Sequence, residues 1–262
     1  MPFTFSHPAI VLPLLWLPKK WRSATGLIVG SMTPDFEKFI RMSEFDPYSH
    51  TWRSIFYFNL PLGLVLSFVF HALVRDALIR HLPIALYQRF TPFISFNWLA
   101  HFRKNYLIII VSLLLGTVSH LVWDSFTHPE GRGVRYFPFL LHYTFGGALD
   151  MRLYSFLQKL GSVVGVLALV WYTLHLHRYR ETGIKRNQLS YWILVFLVAI
   201  GVVVIRLQLS ESILLQNLYH LTIILISGGL TSLATVPLLL RGWQVAKPRS
   251  LNNDYHSDDG DI

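Results

Sequence analysis

The run YLIIIVSLLLGTVSHLVWDSF, residues 106–126, decides how the chain is read. It is long and apolar enough to cross a bilayer as a helix, which takes about 20 residues at about 1.5 Å each. Yet it carries His120 and Asp124 near its end, and His128 follows just beyond. On a helix this four-residue spacing puts the side chains on one face, with Cβ atoms about 5–6 Å apart. An Asp at membrane depth costs about 2.5–3.5 kcal/mol on insertion scales, so it needs a partner. A divalent metal ion supplies one. Zinc, the ion expected, takes His nitrogen and Asp oxygen from three or four protein ligands. A proton relay or a buried hydrogen-bonded pair would use the same two residues. His128, at the border of the run, reads equally as ligand, acid/base group or loop anchor.

Four further stretches have the same character: Phe56–Val74, Leu160–Leu176, Ser190–Leu209 and Leu218–Leu240. Backbone groups in lipid must be satisfied internally, and unbroken apolar runs achieve this as helices. Strand-like alternation is absent, so a β-barrel is not expected. The expected fold class is all-α, an integral membrane helical bundle of about five spanning helices. Composition agrees. Of 262 residues, 53% are hydrophobic and only 14% charged, against roughly 25% charged in soluble domains. The mean hydropathy is +0.43. An ordinary soluble enzyme is excluded, and so is disorder over most of the chain. With no Cys, disulfides, cysteine–zinc ribbons, iron–sulfur clusters and a thiol nucleophile are excluded too. A metal shell must then be built from His, carboxylate and other oxygen ligands.

Before the first span, Ala9–Leu17 and Ser23–Thr33 are apolar runs too short to cross alone. They read as a helical hairpin packed on the bundle, with Pro8 in the first turn, Ser6 near its cap and Pro34 ending the second helix. Met1–His7 has no basic n-region and no small-residue cleavage site follows, so it does not read as a cleavable signal peptide. The expected organisation is 1–159 as the hairpin plus two spans carrying the metal site, 160–240 as a three-helix membrane segment, and 241–262 as a polar disordered tail.

Fifteen of the 23 Lys and Arg fall on the side of the hairpin tip, the loop Arg75–Lys104, the loop Arg178–Arg186 and the tail; seven fall on the other side and Arg206 lies inside a span, where it is expected to snorkel. The positive-inside rule makes the first side cytoplasmic. The net charge of +9 is then a topology signal, dispersed at membrane borders rather than gathered into the stripe that nucleic acid requires. In this topology both ends of the hairpin face outward, as do the segment before the first span and the end of the second. His7, Asp35, His50, His120 and Asp124 therefore converge with His128 on one membrane face. His71 falls at the opposite end of its span. No nucleophile elbow, Walker loop or dinucleotide fingerprint is present.

The pieces Met1–Pro8, Gly30–Glu37, Ser49-His50 and Ser119–His128 with Gly131 together resemble a family of bacterial multi-pass membrane proteins designated domain of unknown function 4184. The resemblance runs over roughly residues 1–240. The sequence is also similar, more distantly, to membrane-bound metal-dependent hydrolases. Those pair an early His, a Pro-Asp, a His before a span and a His-x-x-x-Asp helix. The order is further analogous to zinc-dependent phospholipase C. The resemblance implies a bacterial inner-membrane protein and strengthens the expected ligand set.

The leading expectation is a metal-dependent hydrolase acting at the outer face of the membrane. His7, Asp35, His50, His120 and Asp124 would hold divalent metal, His128 or Glu37 would move protons, and Arg132 and Arg135 would bind an anionic, phosphoester or lipid-linked substrate. A proton-coupled transporter would instead use His120 and Asp124 as a relay reaching cytoplasmic groups such as His71. A non-catalytic scaffold would use a metal only to hold the hairpin.

Overall fold

The computed structural model describes residues 3–142, 144–145, 151–179, 188–209 and 218–246. The tail from residue 247 onward and most of the loop after Tyr179 lie outside these. The described chain is an all-helical bundle. Its one extended pairing joins the two-residue strands Thr144–Phe145 and Met151–Arg152.

The N-terminal hairpin opens with a 3-10 turn, Thr4–Ser6, and then α1 (Pro8–Val11) and a second 3-10 segment, Leu12–Trp16. After the basic tip it returns as α2 (Ala24–Arg41). Pro8 starts α1 as expected, but Ser6 does not cap it; its hydroxyl donates to the Phe3 carbonyl at 2.6 Å. The first span, Ile55–Arg80, contains α3 (Leu60–Val69) and α4 (Arg75–Arg80), with π-helical turns at Ile55–Asn59 and Phe70–Val74. Pro61 has no N–H for the carbonyl four residues back, and a widened turn just ahead of it accommodates that loss. Next come α5 (Ile84–Phe90), the long α6 (Trp98–Thr127), and the short α7 (Arg132–Tyr136) and α8 (Phe139–His142). The bundle closes with α9 (Leu153–His175), α10 (Gln188–Gln208) and α11 (Leu218–Ala246). The α6 helix breaks at Asn105, whose backbone is non-helical, and the expected span begins at the following residue.

Five helices are long and apolar enough to cross a membrane, matching the five expected. They divide by burial. In their most apolar stretches only 6% of α9 and 11% of α10 is buried, against 39% for α6 and α11, so α9 and α10 are mostly exposed. The chain ends of the helices segregate. Arg241 donates to the Ala72 carbonyl, Arg89 to Leu174 and Trp192 to His81 at one end. At the other end Arg206 reaches the Met42 carbonyl and His220 approaches Glu44. Arg206 thus does more than snorkel, because it reaches the C-terminus of α2.

The hairpin differs from expectation in one consequential way. Pro34 does not end α2; the helix runs on to Arg41, so Asp35, Glu37 and Lys38 are helical and buried. A proline in a helix interior removes one hydrogen bond and crowds the carbonyl of residue i−4, at a cost of about 3 kcal/mol. Here that carbonyl belongs to Gly30, and the Thr117 hydroxyl of α6 lies 3.3 Å from it, sharing its one proton between Gly30 and the Leu113 carbonyl at 3.0 Å. The partner helix repairs part of what the proline breaks.

This repair is possible because α2 and α6 run parallel with their backbones in contact. A Cβ on Gly30 would overlap the Leu113 carbonyl, and one on Gly116 would overlap the Leu27 carbonyl. Small residues permit such an approach between membrane helices. Leu27, Ile109 and Leu113 fill the surrounding core. Gly30→Leu forces the two backbones apart and is expected to lower the unfolding midpoint in detergent by at least the equivalent of about 3 kcal/mol, the upper end of ordinary overpacking costs. An unchanged midpoint would contradict the contact.

Candidate metal centre

Four elements deliver the site to one end of the bundle. The α6 helix carries His120 and Asp124 on one face, one turn apart, and ends at Thr127 so that His128 caps it. Parallel α2 brings Asp35 alongside. His7 arrives from the turn before α1, and His50 from the loop between α2 and the first span.

That loop is held by a specific set of bonds. Glu37 accepts from the backbone N–H groups of Tyr48 at 3.0 Å and Ser49 at 2.8 Å, while Arg41 donates to its other oxygen at 2.8 Å. The Asn59 amide donates to the Ser49 carbonyl at 2.8 Å and the Ser54 hydroxyl does so at 2.6 Å. His50 follows directly, with Nδ1 2.6 Å from Asp46 Oδ2 and Nε2 aimed at the cluster. His120 is oriented in the same manner. Its Nδ1–H donates to the Ser31 carbonyl at 2.7 Å, which leaves the Nε2 lone pair facing inward. Such outer partners fix the tautomer and direction of ligating histidines.

The inward-facing atoms lie close together. His7 Nε2 is 3.5 Å from Asp124 Oδ1. His120 Nε2 and His50 Nε2 are 3.4 and 3.7 Å from Asp124 Oδ2. His50 Nε2 is also 3.4 Å from Asp35 Oδ1. Among the described residues, the Nε2 atoms of His7, His50 and His120 and both oxygens of Asp124 are buried and make no hydrogen bond. Leaving one such group unsatisfied costs about 1–3 kcal/mol, so five at one point call for a common partner. Ligands about 2.0–2.1 Å from a zinc ion stand about 3.3–3.4 Å apart in a tetrahedron, close to the separations here. The donor set of nitrogen and carboxylate oxygen therefore fits a divalent ion. Asp35 has one oxygen engaged by the Thr4 hydroxyl at 2.7 Å, and its other oxygen faces the cluster.

The electrostatics point the same way. Burial drives His7 down to about 3, with facing His120 adding to the effect, so it is neutral and ligand-competent. Burial opposes the charge of His50, but the carboxylates of Asp35 and Asp46 prevail and push it up to about 9. Burial opposes the charge of Asp35 as well, yet His120, His50 and Lys38 hold its carboxyl well below the usual range. Positive charge is thus wanted between these carboxylates. His128, displaced downward by burial, lies 3.7 Å from Asp124 Oδ2.

One flank of the cluster opens. A cavity of about 630 Å³ is lined by Asp124, His50 and His128 and by Lys38, Arg132 and Arg135. The Arg132 guanidinium sits over the Trp52 ring, 5.9 Å from its centroid. Exposed Arg135 lies 3.9 Å from Glu130. The expected ligands His7, Asp35, His50, His120 and Asp124 are all brought together, with His128 beside them and Arg132 and Arg135 at the mouth. Glu37 is not with them. It is 2% exposed, its carboxylate holds the His50 loop, and it is absent from the cavity wall. His71 is also elsewhere. It bonds Thr25 and Arg75 and stacks on Trp98. Thr25 stands ten residues before Asp35, about 15 Å along α2. Sequence reasoning missed Asp46, Lys38, Thr4 and Ser31. Only Asp46, four residues before His50, left a pattern to find.

The family model described as Domain of unknown function (DUF4184) matches residues 1–238. No curated protein and no solved structure matches the chain.

Two measurements test the centre. Elemental analysis of detergent-purified protein is expected to find stoichiometric divalent metal in the wild type and none in the His120→Ala/Asp124→Ala variant; equal metal in both would remove the assignment. Glu37→Ala releases the loop behind His50 and is expected to weaken metal affinity about 10–100-fold in a competing-chelator titration. Unchanged affinity would show that the loop does not position the ligand.

Proposed function

We propose that this chain, which belongs to the DUF4184 family, is a metal-dependent hydrolase working at the outer face of the membrane its helices span. In a bacterial cell that is the periplasmic side of the inner membrane. The observation that carries the reading is the convergence of unsatisfied His and Asp atoms in a cluster of which His50 and Asp124 reach the wall of an open cavity. A scaffold's structural ion needs no access, whereas a catalytic ion needs an open position for water or substrate.

His7, Asp35, His50, His120 and Asp124 surround the ion, three or four of them binding at once so that a position stays open for water, and zinc suits the donor set. When bound, such an ion acidifies water to a pKa near about 7 and polarises a substrate oxygen. His128 is placed to move the proton. Its Nδ1–H donates to the Asp124 carbonyl at 3.1 Å, and Gln158 donates to its Nε2 at 3.4 Å. That Nε2 carries the lone pair, which can accept a proton once Gln158 gives it up, and His128 lines the cavity. Arg132, steadied on Trp52, and Arg135 receive an anionic group, which makes a phosphoester or a lipid-linked phosphate the substrate class. Glu37 is a positioning residue rather than a proton carrier. A relay through His71 finds no support in its surroundings, which are hydrogen-bonded and aromatic and belong to the opposite end of α2.

Hydrolysis of p-nitrophenyl phosphate and its bis-ester by detergent-solubilised full chain tests this. Turnover is expected in the wild type, lost on chelation, restored by zinc and absent from Asp124→Ala. His128→Gln is expected to retain metal while the rate falls about 10²-fold or more. Hydrolysis at the same rate in wild type and Asp124→Ala would overturn the reading.

A further inference from the structure

The candidate ligands form two overlapping groups, His7–Asp35–His120 and His50–His120–Asp124, each with ligand atoms within 4.8 Å of one another. Two groups suggest two ions. However, both depend on His120, whose Nδ1 is tied to the Ser31 carbonyl. Only Nε2 is left to ligate, and a single lone pair serves one ion. His120 can therefore complete only one of the two groups at a time.

A second cation is nonetheless present. The Lys38 ammonium lies 3.3 Å from Asp35 Oδ1 and 2.9 Å from Asp46 Oδ2, and the residue is 5% exposed. Asp35 Oδ1 faces His50 Nε2 as well, so this one oxygen joins the ligand cluster to the ammonium. Asp46 likewise touches both His50 and Lys38. Lys38 also lines the cavity beside Asp124 and His128.

We propose that Lys38 is the built-in second cation of the centre. Its ammonium is fixed between Asp35 and Asp46, the two carboxylates a second ion would need, and the protein consequently binds one divalent ion. Charge supports this. Asp35, Asp46 and Asp124 contribute three negative charges, and one divalent ion with one ammonium balances them. A second divalent ion added beside the ammonium would leave two positive charges uncompensated, which is strongly disfavoured, whereas without the ammonium the excess is one, which a bound hydroxide cancels. In two-metal sites the paired ions, about 3.5–4 Å apart, clamp the attacking and leaving oxygens together. In this chain Lys38 supplies the second half of that clamp to an anionic substrate. The inference rests on the metal-centre reading given above.

The test counts zinc per chain in detergent-purified full-length protein, equilibrated at fixed free zinc and desalted, for wild type, Lys38→Arg and Lys38→Gln. One ion is expected in the wild type and in Lys38→Arg, which keeps the charge. Two are expected in Lys38→Gln, where Asp35 and Asp46 lose their cation. Two ions in the wild type would overturn the proposal whether or not Lys38→Gln folds. A single ion in monodisperse Lys38→Gln would overturn it as well. No ion in the wild type would remove the metal centre itself and this inference with it.

Discussion

The contact between the backbones of α2 and α6 is the constraint on which the rest of the structure depends. Gly30 and Gly116 have no side chains to hold the helices apart. The helices therefore run parallel in register, and α6 side chains reach α2 carbonyls: Thr117 to Gly30 and His120 to Ser31. The first bond partly compensates the interior proline. The second fixes the orientation of the central histidine. Without this close approach α2 would lack a partner for its freed carbonyl, and Asp35 would not stand beside Asp124. A packing feature of the apolar core thus sets the geometry of the polar site at its end.

The site in turn explains the arrangement of the remaining helices. Carboxylates, imidazoles and an ammonium are buried together where the hairpin, the His50 loop and the end of α6 meet. Burial of this many charged groups is tolerable only when they compensate one another. The surrounding elements enforce that compensation: Glu37 and Asn59 hold the loop, Asp46 orients His50, and Thr4 engages Asp35. The mostly exposed α9 and α10 carry little of this load, although the start of α11 places Tyr219 on the cavity wall.

Hydropathy made the five spans legible, because the bilayer imposes length and apolarity directly on sequence. The His120–Asp124 face was legible for a related reason: charge in such a run is costly, and its four-residue spacing reads as geometry. Convergence of His7, Asp35 and His50 followed from topology alone. Pro34 was misread because a local rule was applied where a neighbouring helix makes good part of the lost bond. The bonds of Glu37 were illegible for a similar reason, since its partners include backbone N–H groups eleven and twelve residues away, which leave no pattern. Only the fold reveals that Lys38 is enclosed by Asp35 and Asp46.

The central claim is that the cluster of His7, Asp35, His50, His120 and Asp124 supplies the ligands of one divalent ion. X-ray absorption at the zinc edge of zinc-loaded, detergent-purified protein tests it most directly. The account predicts a first shell of nitrogen and oxygen at about 2.0–2.1 Å, with outer scattering from several imidazole rings that diminishes in His120→Ala. A spectrum of oxygen neighbours alone, with no imidazole scattering, would place the ion elsewhere and contradict it.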